Sequence, residues 1–198
     1  YLLSLVNDIL DVSKLHAGKV QLDARPFSLH DVINNVCEME REVIIAGGIS
    51  FDVDADIPHP CVMGDDVRLS QVLMNILSNA AKFTPEGGII TLTARQKLES
   101  APRMTRVIIS VADTGCGMTP SFQKHIFDAF TQERSFNSES QKGTGLGMAI
   151  SSLLVQEMGG SISVESEPGA GTCFTVKVPL PLAGSGQLPG SVPAEALQ

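Results

Sequence analysis

Tryptophan is absent from this sequence of 198 residues, tyrosine occurs once and cysteine only four times. No two cysteines form a C-x-x-C pair, so the sequence offers neither zinc-ligand spacing nor a disulfide framework, and a reducing compartment is favoured. Basic residues are also few: 14 Lys and Arg stand against 22 Asp and Glu, and the formal net charge is −8. A nucleic-acid-binding protein would show a basic face, so we expect no nucleic-acid partner.

Long apolar runs are missing as well. No stretch reaches the roughly 20 residues that span a bilayer, and no basic segment precedes an apolar one as in a signal peptide. We therefore expect a cytoplasmic location without direct membrane contact, with any membrane anchor of a parent protein outside this chain. The hydrophobic fraction of 43% is that of an ordinary globular protein, and the length allows one domain and part of a second.

The first 17 residues predict a helix that is separate from the domain after it. Leucine, isoleucine and valine repeat along two adjacent lines, and Gly18 is a natural helix stop. Such a wide apolar face is typical of a helix in a bundle, and a core helix of the same domain is the alternative. The predicted boundaries are 1–18 for this helix, 19–180 for the main domain and 181–198 for a Gly- and Pro-rich linker or tail.

The main domain alternates between helical and extended patterns. Three longer helices are predicted: one after the capping residue Ser28, one that ends before Pro85 and one between the glycines at 145 and 159. A shorter helix is predicted to begin after Thr119 and to end near Phe130. The predicted strands cover 49–53, 89–96, 106–112, 161–167 and 172–178, the last two as a hairpin. This order predicts an α+β fold, a two-layer sandwich with helices on one face of a mixed sheet.

Two amides and one ammonium group share a stripe on the second long helix. Asn75, Asn79 and Lys82 are spaced four and three residues apart, which places them on one side of a helix. Amide oxygens are suitable Mg²⁺ ligands, and an ammonium group neutralises phosphate charge. The stripe therefore predicts a magnesium–phosphate site, and a solvated helix face is the alternative.

A carboxylate followed by small residues stands at the end of a predicted strand. Asp113 precedes Gly115 and Gly117, and glycines let the backbone approach a ligand closely. An aspartate in this position can present its carboxylate to a flat heterocycle. An ordinary Asp-Gly turn is the alternative.

A glycine cluster opens the last long helix. Gly143, Gly145 and Gly147 free the backbone to point N–H groups at phosphates, and the helix N-terminus adds positive charge. The cluster is not a P-loop, because no Gly-Lys-Ser/Thr follows, and no preceding strand supplies the dinucleotide-binding context. A flexible loop is the alternative.

In this order the three motifs resemble the ATP-binding domain of histidine kinases, within the group that includes Hsp90, MutL and DNA gyrase B. The resemblance runs from Tyr1 to about Leu180 and implies the Bergerat-type ATP-binding fold. The matching segments are 64–84 for the N box, 113–117 for the G1 box, Phe127 and Phe130 for the F box, 143–147 for the G2 box, and Gly171-Thr172-x-Phe174 for the strand that closes the adenine pocket. Residues 5–15 are similar to the second helix of the kinase dimerisation hairpin, which favours the kinase branch.

The resemblance implies that ATP and Mg²⁺ are bound and that the γ-phosphoryl group passes to a histidine of the parent kinase. Asp113 would accept a hydrogen bond from the adenine amino group, beside Thr172. Asn79, together with Asn75, would hold Mg²⁺, and Lys82 would contact the phosphates; these three are the implied catalytic residues. Phe127 and Phe130 would pack beneath a lid over the nucleotide, and ordinary core aromatics are the alternative. The other implied nucleotide-binding residues are Gly115, Gly117, Lys142, Gly143, Thr144, Gly145, Leu146 and Gly147.

Two departures from the family pattern concern charge and histidine. The lid carries Arg134 and Lys142 in place of an arginine directly before the glycines, which leaves open which cation meets the γ-phosphate. None of the four histidines, at 16, 30, 59 and 125, has the neighbours of the family's phosphate acceptor. We therefore expect an acceptor hairpin upstream in a homodimeric parent protein and a response-regulator receiver domain as partner, with the tail as a tether to it in a hybrid kinase.

Two other functions stay open. An ATP-gated clamp of the Hsp90 or MutL kind would need a catalytic glutamate in the N-box helix, and the segment 75–82 contains none. A nucleotide-binding module without catalysis is the second alternative, because the lid cation is not settled.

Overall fold

The computed structural model describes residues 22–132 and 144–184. The predicted helix over 1–17, residues 185–198 of the tail predicted from 181, and the segment 133–143, with Arg134, Lys142 and Gly143, lie outside the described residues. The first residues of the predicted tail continue the domain, since Pro181 ends a strand and the Leu182 amide donates to the Arg103 carbonyl at 2.7 Å. No helix in the described part of the chain is both long and apolar enough to cross a membrane.

Seven strands and four helices make up the described domain. In chain order they are β1 (Arg25–Ser28), α1 (Leu29–Ala46), β2 (Ser50–Asp56), β3 (Cys61–Gly64), α2 (Asp66–Phe83), β4 (Ile89–Leu98), β5 (Met104–Asp113), α3 (Pro120–Gln123), α4 (Gly147–Glu157), β6 (Ser161–Glu167) and β7 (Gly171–Pro181). Five strands form the main sheet in the order β2-β4-β5-β7-β6, and β1 pairs with β3 in a small antiparallel sheet. Within the main sheet β2 runs parallel to β4 and the other pairs are antiparallel.

Local sequence signals explain where the two long N-terminal helices begin. Ser28 caps α1 by accepting a hydrogen bond from the Asp31 amide at 3.3 Å, as the capping-box spacing predicts. Asp65 caps α2 in the same way through the Arg68 amide at 2.9 Å. At the other end of α2, the Thr84 hydroxyl donates to the Ala80 carbonyl at 2.7 Å before Pro85 prevents continuation.

The core lies between one face of the main sheet and the helices. Along β4 and β5 every second residue is buried, including Ile90, Leu92 and Val111, and the residues between them are more exposed. Leu73 and Leu77 of α2 are fully buried against this face. The predicted α+β sandwich with a mixed sheet is confirmed. Apolar residues repeat every 2 positions in its strands and about every 3.6 positions in its helices, as the sequence pattern predicts.

The secondary structure differs from the prediction in two places: two short strands are additional, and one predicted helix is wrong in its length. The strands β1 and β3 were not predicted, because each has only four residues, too few for a clear alternation. The helix expected from Thr119 to Phe130 ends at Gln123. Beyond it the backbone makes i→i+3 bonds, from the His125 amide to the Phe122 carbonyl at 2.8 Å and from the Asp128 amide to the His125 carbonyl at 2.9 Å, so tight turns replace the helix.

Candidate functional site

Asp113 ends β5, and backbone N–H groups hold its carboxylate. Oδ1 accepts a hydrogen bond from the Gly115 amide at 2.8 Å, and the Thr172 amide donates to the same carboxylate. Burial raises the pKa of Asp113 above its usual range, although the two backbone donors act in the opposite direction. The carboxylate is thus fixed in orientation, and its remaining lone pairs are available to a ligand donor.

Close backbone contacts hold the segment after Asp113 against the hairpin of β6 and β7. Gly117 has φ +65, and a β-carbon there would lie 1.9 Å from the Glu167 carbonyl oxygen. Gly171 has φ +106, and a β-carbon there would lie 1.9 Å from the Asp113 carbonyl oxygen. Only glycine satisfies both the backbone angle and the distance at these two positions.

A serine that was not predicted connects the same segments. The Ser166 hydroxyl accepts from the Met118 amide at 2.9 Å, donates to the Gly171 carbonyl at 2.8 Å and contacts the Thr172 hydroxyl at 2.9 Å. Gln123 of α3 adds a further bond, from its side-chain amide to the Ser166 carbonyl at 2.7 Å. The predicted hairpin could have indicated Ser166, because the register of its two strands places Ser166 opposite Thr172.

Asn75, the first residue of the predicted stripe on α2, contacts the start of α4. The Asn75 side-chain nitrogen donates to the Gly147 carbonyl and to the Ser151 hydroxyl, each at 3.2 Å. Asn79 lies half-buried one turn further along α2. The Lys82 ammonium lies 4.9 Å from the centre of the Phe83 ring, and burial lowers the pKa of Lys82. The structure therefore brings Asn75 of the N box to Gly147 of the G2 box.

Within the described residues, the N-terminus of α4 has no side-chain cap. Leu146 occupies the capping position and is fully buried, and its side chain makes no capping hydrogen bond. The Thr144 hydroxyl accepts a bond from the Leu146 amide at 3.2 Å, which shapes the turn before the helix. In the part of the chain that the structure describes, the first N–H groups of α4 therefore lack a side-chain cap, and N–H groups of this kind can bind an anion.

The two phenylalanines of the predicted F box have different environments. Phe127 packs against the core, with its ring edge-to-face on Phe174 at a centroid distance of 6.4 Å. Phe130 is 66% exposed, has φ +63 and donates its amide hydrogen to the Gly145 carbonyl at 2.9 Å. Packing of these rings beneath a lid stays a prediction, because residues 133–143 lie outside the described part.

The helix α2 connects the two groups of candidate residues. Its last residue, Phe83, accepts a hydrogen bond at its carbonyl from the Cys116 amide at 3.2 Å, within the segment that follows Asp113. Asn75 lies two turns earlier on the same helix. In the described residues no group of three or more His, Cys, Asp or Glu could hold a metal ion. A divalent cation here would therefore depend on amide oxygens and on the oxygens of its own ligand.

Comparison with known proteins gives one family and several relatives. The family model described as histidine kinase-, DNA gyrase B-, and HSP90-like ATPase matches residues 64–182. The autoinducer 2 sensor kinase/phosphatase LuxQ of Vibrio vulnificus (strain YJ016) is 38% identical over 183 residues, which cover 91% of this chain and 21% of that protein. Hybrid signal transduction histidine kinase B of Dictyostelium discoideum is 39% identical over 181 residues, which cover 90% of this chain and 9% of that protein.

A solved structure shares both the fold and part of the sequence. The crystal structure of full-length ShkA in complex with AMPPNP superposes with a TM-score of 0.79 and 37% sequence identity, and the match covers 92% of this chain and 36% of that chain. The chain thus spans only part of every relative named here, about a fifth of LuxQ.

Proposed function

The chain belongs to the family of histidine kinase-, DNA gyrase B- and HSP90-like ATPases, and we propose that it is the ATP-binding, phosphoryl-donating domain of a sensor histidine kinase. One observation carries the proposal. The helix α2 joins the fixed carboxylate of Asp113, at its C-terminal end, to Asn75, which contacts the N-terminus of α4. Among the described residues, that N-terminus has no side-chain cap. One end of this arrangement suits a heterocycle with a donor group, and the other suits a chain of phosphates.

At the Asp113 end, the proposed ligand group is the adenine ring. The carboxylate would accept from the adenine amino group, since the Gly115 and Thr172 amides already fix its orientation. Partial burial strengthens such a bond, because water competes less for the carboxylate there. Phe174 and the glycines of the hairpin would line the ring's edge.

At the α4 end, the donor set fits a magnesium–triphosphate group. Amide oxygens of Asn75 and Asn79 are hard ligands of the kind that Mg²⁺ accepts, and the magnesium ion would neutralise phosphate charge when bound. Lys82 would add a cation to the phosphates, and the first N–H groups of α4 would donate to their oxygens. Gly145 and Thr144 would shape the turn around the phosphate chain, with Lys142 and Gly143 as proposed continuations of it.

The kinase is favoured over an ATP-gated clamp by the N-box helix. The segment 75–82 has no glutamate to activate water, so phosphoryl transfer to another group is the better chemical fit. The reaction requires an acceptor nitrogen in line with the γ-phosphate. We propose that this histidine lies on a dimerisation hairpin of the parent protein, that the parent is a homodimer, and that a receiver domain is the next partner, as the name of the hybrid relative suggests. The cytoplasmic location stays a prediction.

Binding of Mg-ATP is the first test. A ligand at one hundred times its dissociation constant adds about 2.7 kcal/mol of stability, which should raise Tm by roughly 5–10 °C for a chain of this size. Asn79→Ala should remove the magnesium dependence of this shift, whereas Asn35→Ala, at an exposed position of α1, should keep it. No shift at millimolar Mg-ATP in the parent would refute the proposal.

Phosphoryl transfer is the second test. With γ-labelled ATP and an added acceptor hairpin from a sensor kinase, label should appear on the hairpin as acid-labile, base-stable phosphate. The chain alone should stay unlabelled. Stoichiometric label on one of its own histidines would show that the acceptor is placed wrongly, and ATP hydrolysis without transfer would favour the clamp alternative.

A further inference from the structure

The Asn75 side chain is held by two acceptors of α4, the Gly147 carbonyl and the Ser151 hydroxyl, which we call the Asn75 anchor. We propose that Ser151 is a positioning residue that, within this anchor, fixes the Asn75 amide so that its oxygen faces the magnesium ion of the bound nucleotide. This inference rests on the proposed function, because it assumes that a magnesium–nucleotide complex occupies the site.

The hydrogen-bond chemistry of the amide determines which atom is left for a cation. The NH₂ group of Asn75 has two hydrogens, and two acceptors lie 3.2 Å from the nitrogen. The Gly147 carbonyl can only accept, so the opposite orientation would place two oxygens against each other. The nitrogen therefore points at α4, and within the described residues Oδ1 accepts no hydrogen bond, so it can face a cation or its water.

The amide also lies close against the backbone at the start of α4. A β-carbon built on Gly147 would meet Cγ, Nδ2 and Oδ1 of Asn75 at 3.6, 3.7 and 3.7 Å. These similar distances show that the whole amide group, and not only its nitrogen, lies within van der Waals reach of the place that a side chain at position 147 would take. The two hydrogen bonds to α4 restrict rotation of the amide.

Burial makes the Ser151 hydroxyl dependent on its hydrogen bond. Ser151 has 0% exposure and lies next to the buried apolar residues Ile150 and Leu154. A buried hydroxyl is unfavourable unless it is hydrogen-bonded, and all buried side-chain polar atoms in the described part have a partner. Its partner Asn75 lies on another helix, 76 positions away in the sequence. The next serine, Ser152, is also buried but is bonded within α4, where its hydroxyl accepts from Gln156 at 3.3 Å.

The pair Ser151→Ala and Ser152→Ala provides a matched test. Each variant removes one buried hydroxyl from the same helix, but only Ser151→Ala removes a bond to Asn75. Loss of one neutral hydrogen bond from the anchor should weaken Mg-ATP binding about threefold to tenfold. Binding of ATP in EDTA should be unchanged, because no metal then requires the Asn75 oxygen. Ser152→Ala should match the parent in both titrations.

A double variant separates positioning from general stability. If Ser151 acts through Asn75, then Ser151→Ala should cause no further loss of Mg-ATP affinity in an Asn75→Ala background. An equal loss in both backgrounds would overturn the inference, as would parent-like Mg-ATP binding by Ser151→Ala. A parent that binds no Mg-ATP would overturn the proposed function itself and this inference with it.

A measurement without nucleotide tests the anchor directly. The side-chain NH₂ signals of Asn75, assigned by their loss in Asn75→Ala, should shift and exchange faster with water in Ser151→Ala. They should be unchanged in Ser152→Ala. Identical signals in the parent and Ser151→Ala would show that the anchor does not hold the amide, independently of whether nucleotide binds.

Discussion

Replacing Asp113 with asparagine changes the charge of this side chain and leaves its shape almost the same. The asparagine oxygen can still accept from the Gly115 amide, which donates to Asp113 Oδ1 at 2.8 Å. The second carboxylate oxygen, however, becomes an NH₂ donor. If the proposed adenine contact is correct, that donor would face the adenine amino group, which is also a donor.

The size of the effect follows from the bond that is lost. A hydrogen bond to a charged group contributes about 1.5–3 kcal/mol, so Asp113→Asn should weaken nucleotide binding roughly 10- to 150-fold. The loss should be similar for ATP, ADP and AMP, since all three carry the same base. Isothermal titration of the three nucleotides measures this. Asp52→Asn, at an exposed position of β2, is the matched control and should bind like the parent.

The same substitution should alter stability without ligand in a direction that depends on pH. Burial raises the pKa of Asp113, so the folded domain holds this proton more tightly than the unfolded chain does. The stability that the group contributes is present below its unfolded pKa, near 3.9, and is lost as pH rises through the higher folded pKa. The free energy of unfolding of the parent relative to Asp113→Asn should therefore fall from about pH 4 upward. Urea unfolding at several pH values measures this difference.

Two results would refute the reasoning. Binding by Asp113→Asn within twofold of the parent would show that the carboxylate does not contact the ligand. A stability difference that rises with pH over the same range would show that the backbone donors outweigh burial.

Three further predictions concern backbone fit and phosphate contact. Gly117→Ala should lower the free energy of unfolding in urea by about 2–5 kcal/mol, because alanine adds a clash with the backbone to the strain of a left-handed φ. The control Gly169→Ala, with φ +79 and no atom within 4 Å of an added β-carbon, should lower it by only about 1–2 kcal/mol, and equal losses would contradict the clash. Lys82→Met should weaken ATP binding about tenfold and change AMP binding little, and Lys97→Met, at an exposed position, is the control. An equal loss of affinity for ATP and AMP would exclude a contact between Lys82 and the phosphates beyond the α-phosphate. Phe130→Gly should be about 1 kcal/mol more stable than Phe130→Ala, because both variants lack the exposed ring but only alanine keeps the strain of φ +63. A more stable alanine variant would contradict this prediction.

Most of the fold could be predicted from local sequence signals. The Ser28 cap, the spacing of apolar residues along α2 and the alternation along β5 each act within a few residues, so they were readable from the sequence. The strands β1 and β3 were missed because a four-residue strand has too few positions to show alternation. The positive φ of Phe130 could not be predicted either, because the Phe130 amide bonds to Gly145, a residue that is distant in the sequence.

The candidate site divides in the same way. Asn75, Asp113 and the glycines stand in short motifs with recognisable spacing, so the sequence was sufficient to select them. Ser151 and Ser166 stand in no such motif. The role of each depends on a hydrogen-bond partner in another part of the chain, which the sequence alone does not reveal. The exposure of Phe130 and the position of Lys82 over a ring are likewise results of packing that no local pattern encodes.

The single helix between the two ends of the site has a consequence for inhibitor chemistry. Asn75 and Phe83 are eight residues apart on α2, so at 1.5 Å per residue the helix separates them by about 12 Å. This separation is set by backbone hydrogen bonds and cannot adapt to a shorter or longer molecule. If the base and the phosphates bind as proposed, a compound that engages only Asp113 would compete for the base position and leave the other end open to small anions. A rigid compound of matching length, with a donor at one end and an anionic group at the other, would occupy both ends at once.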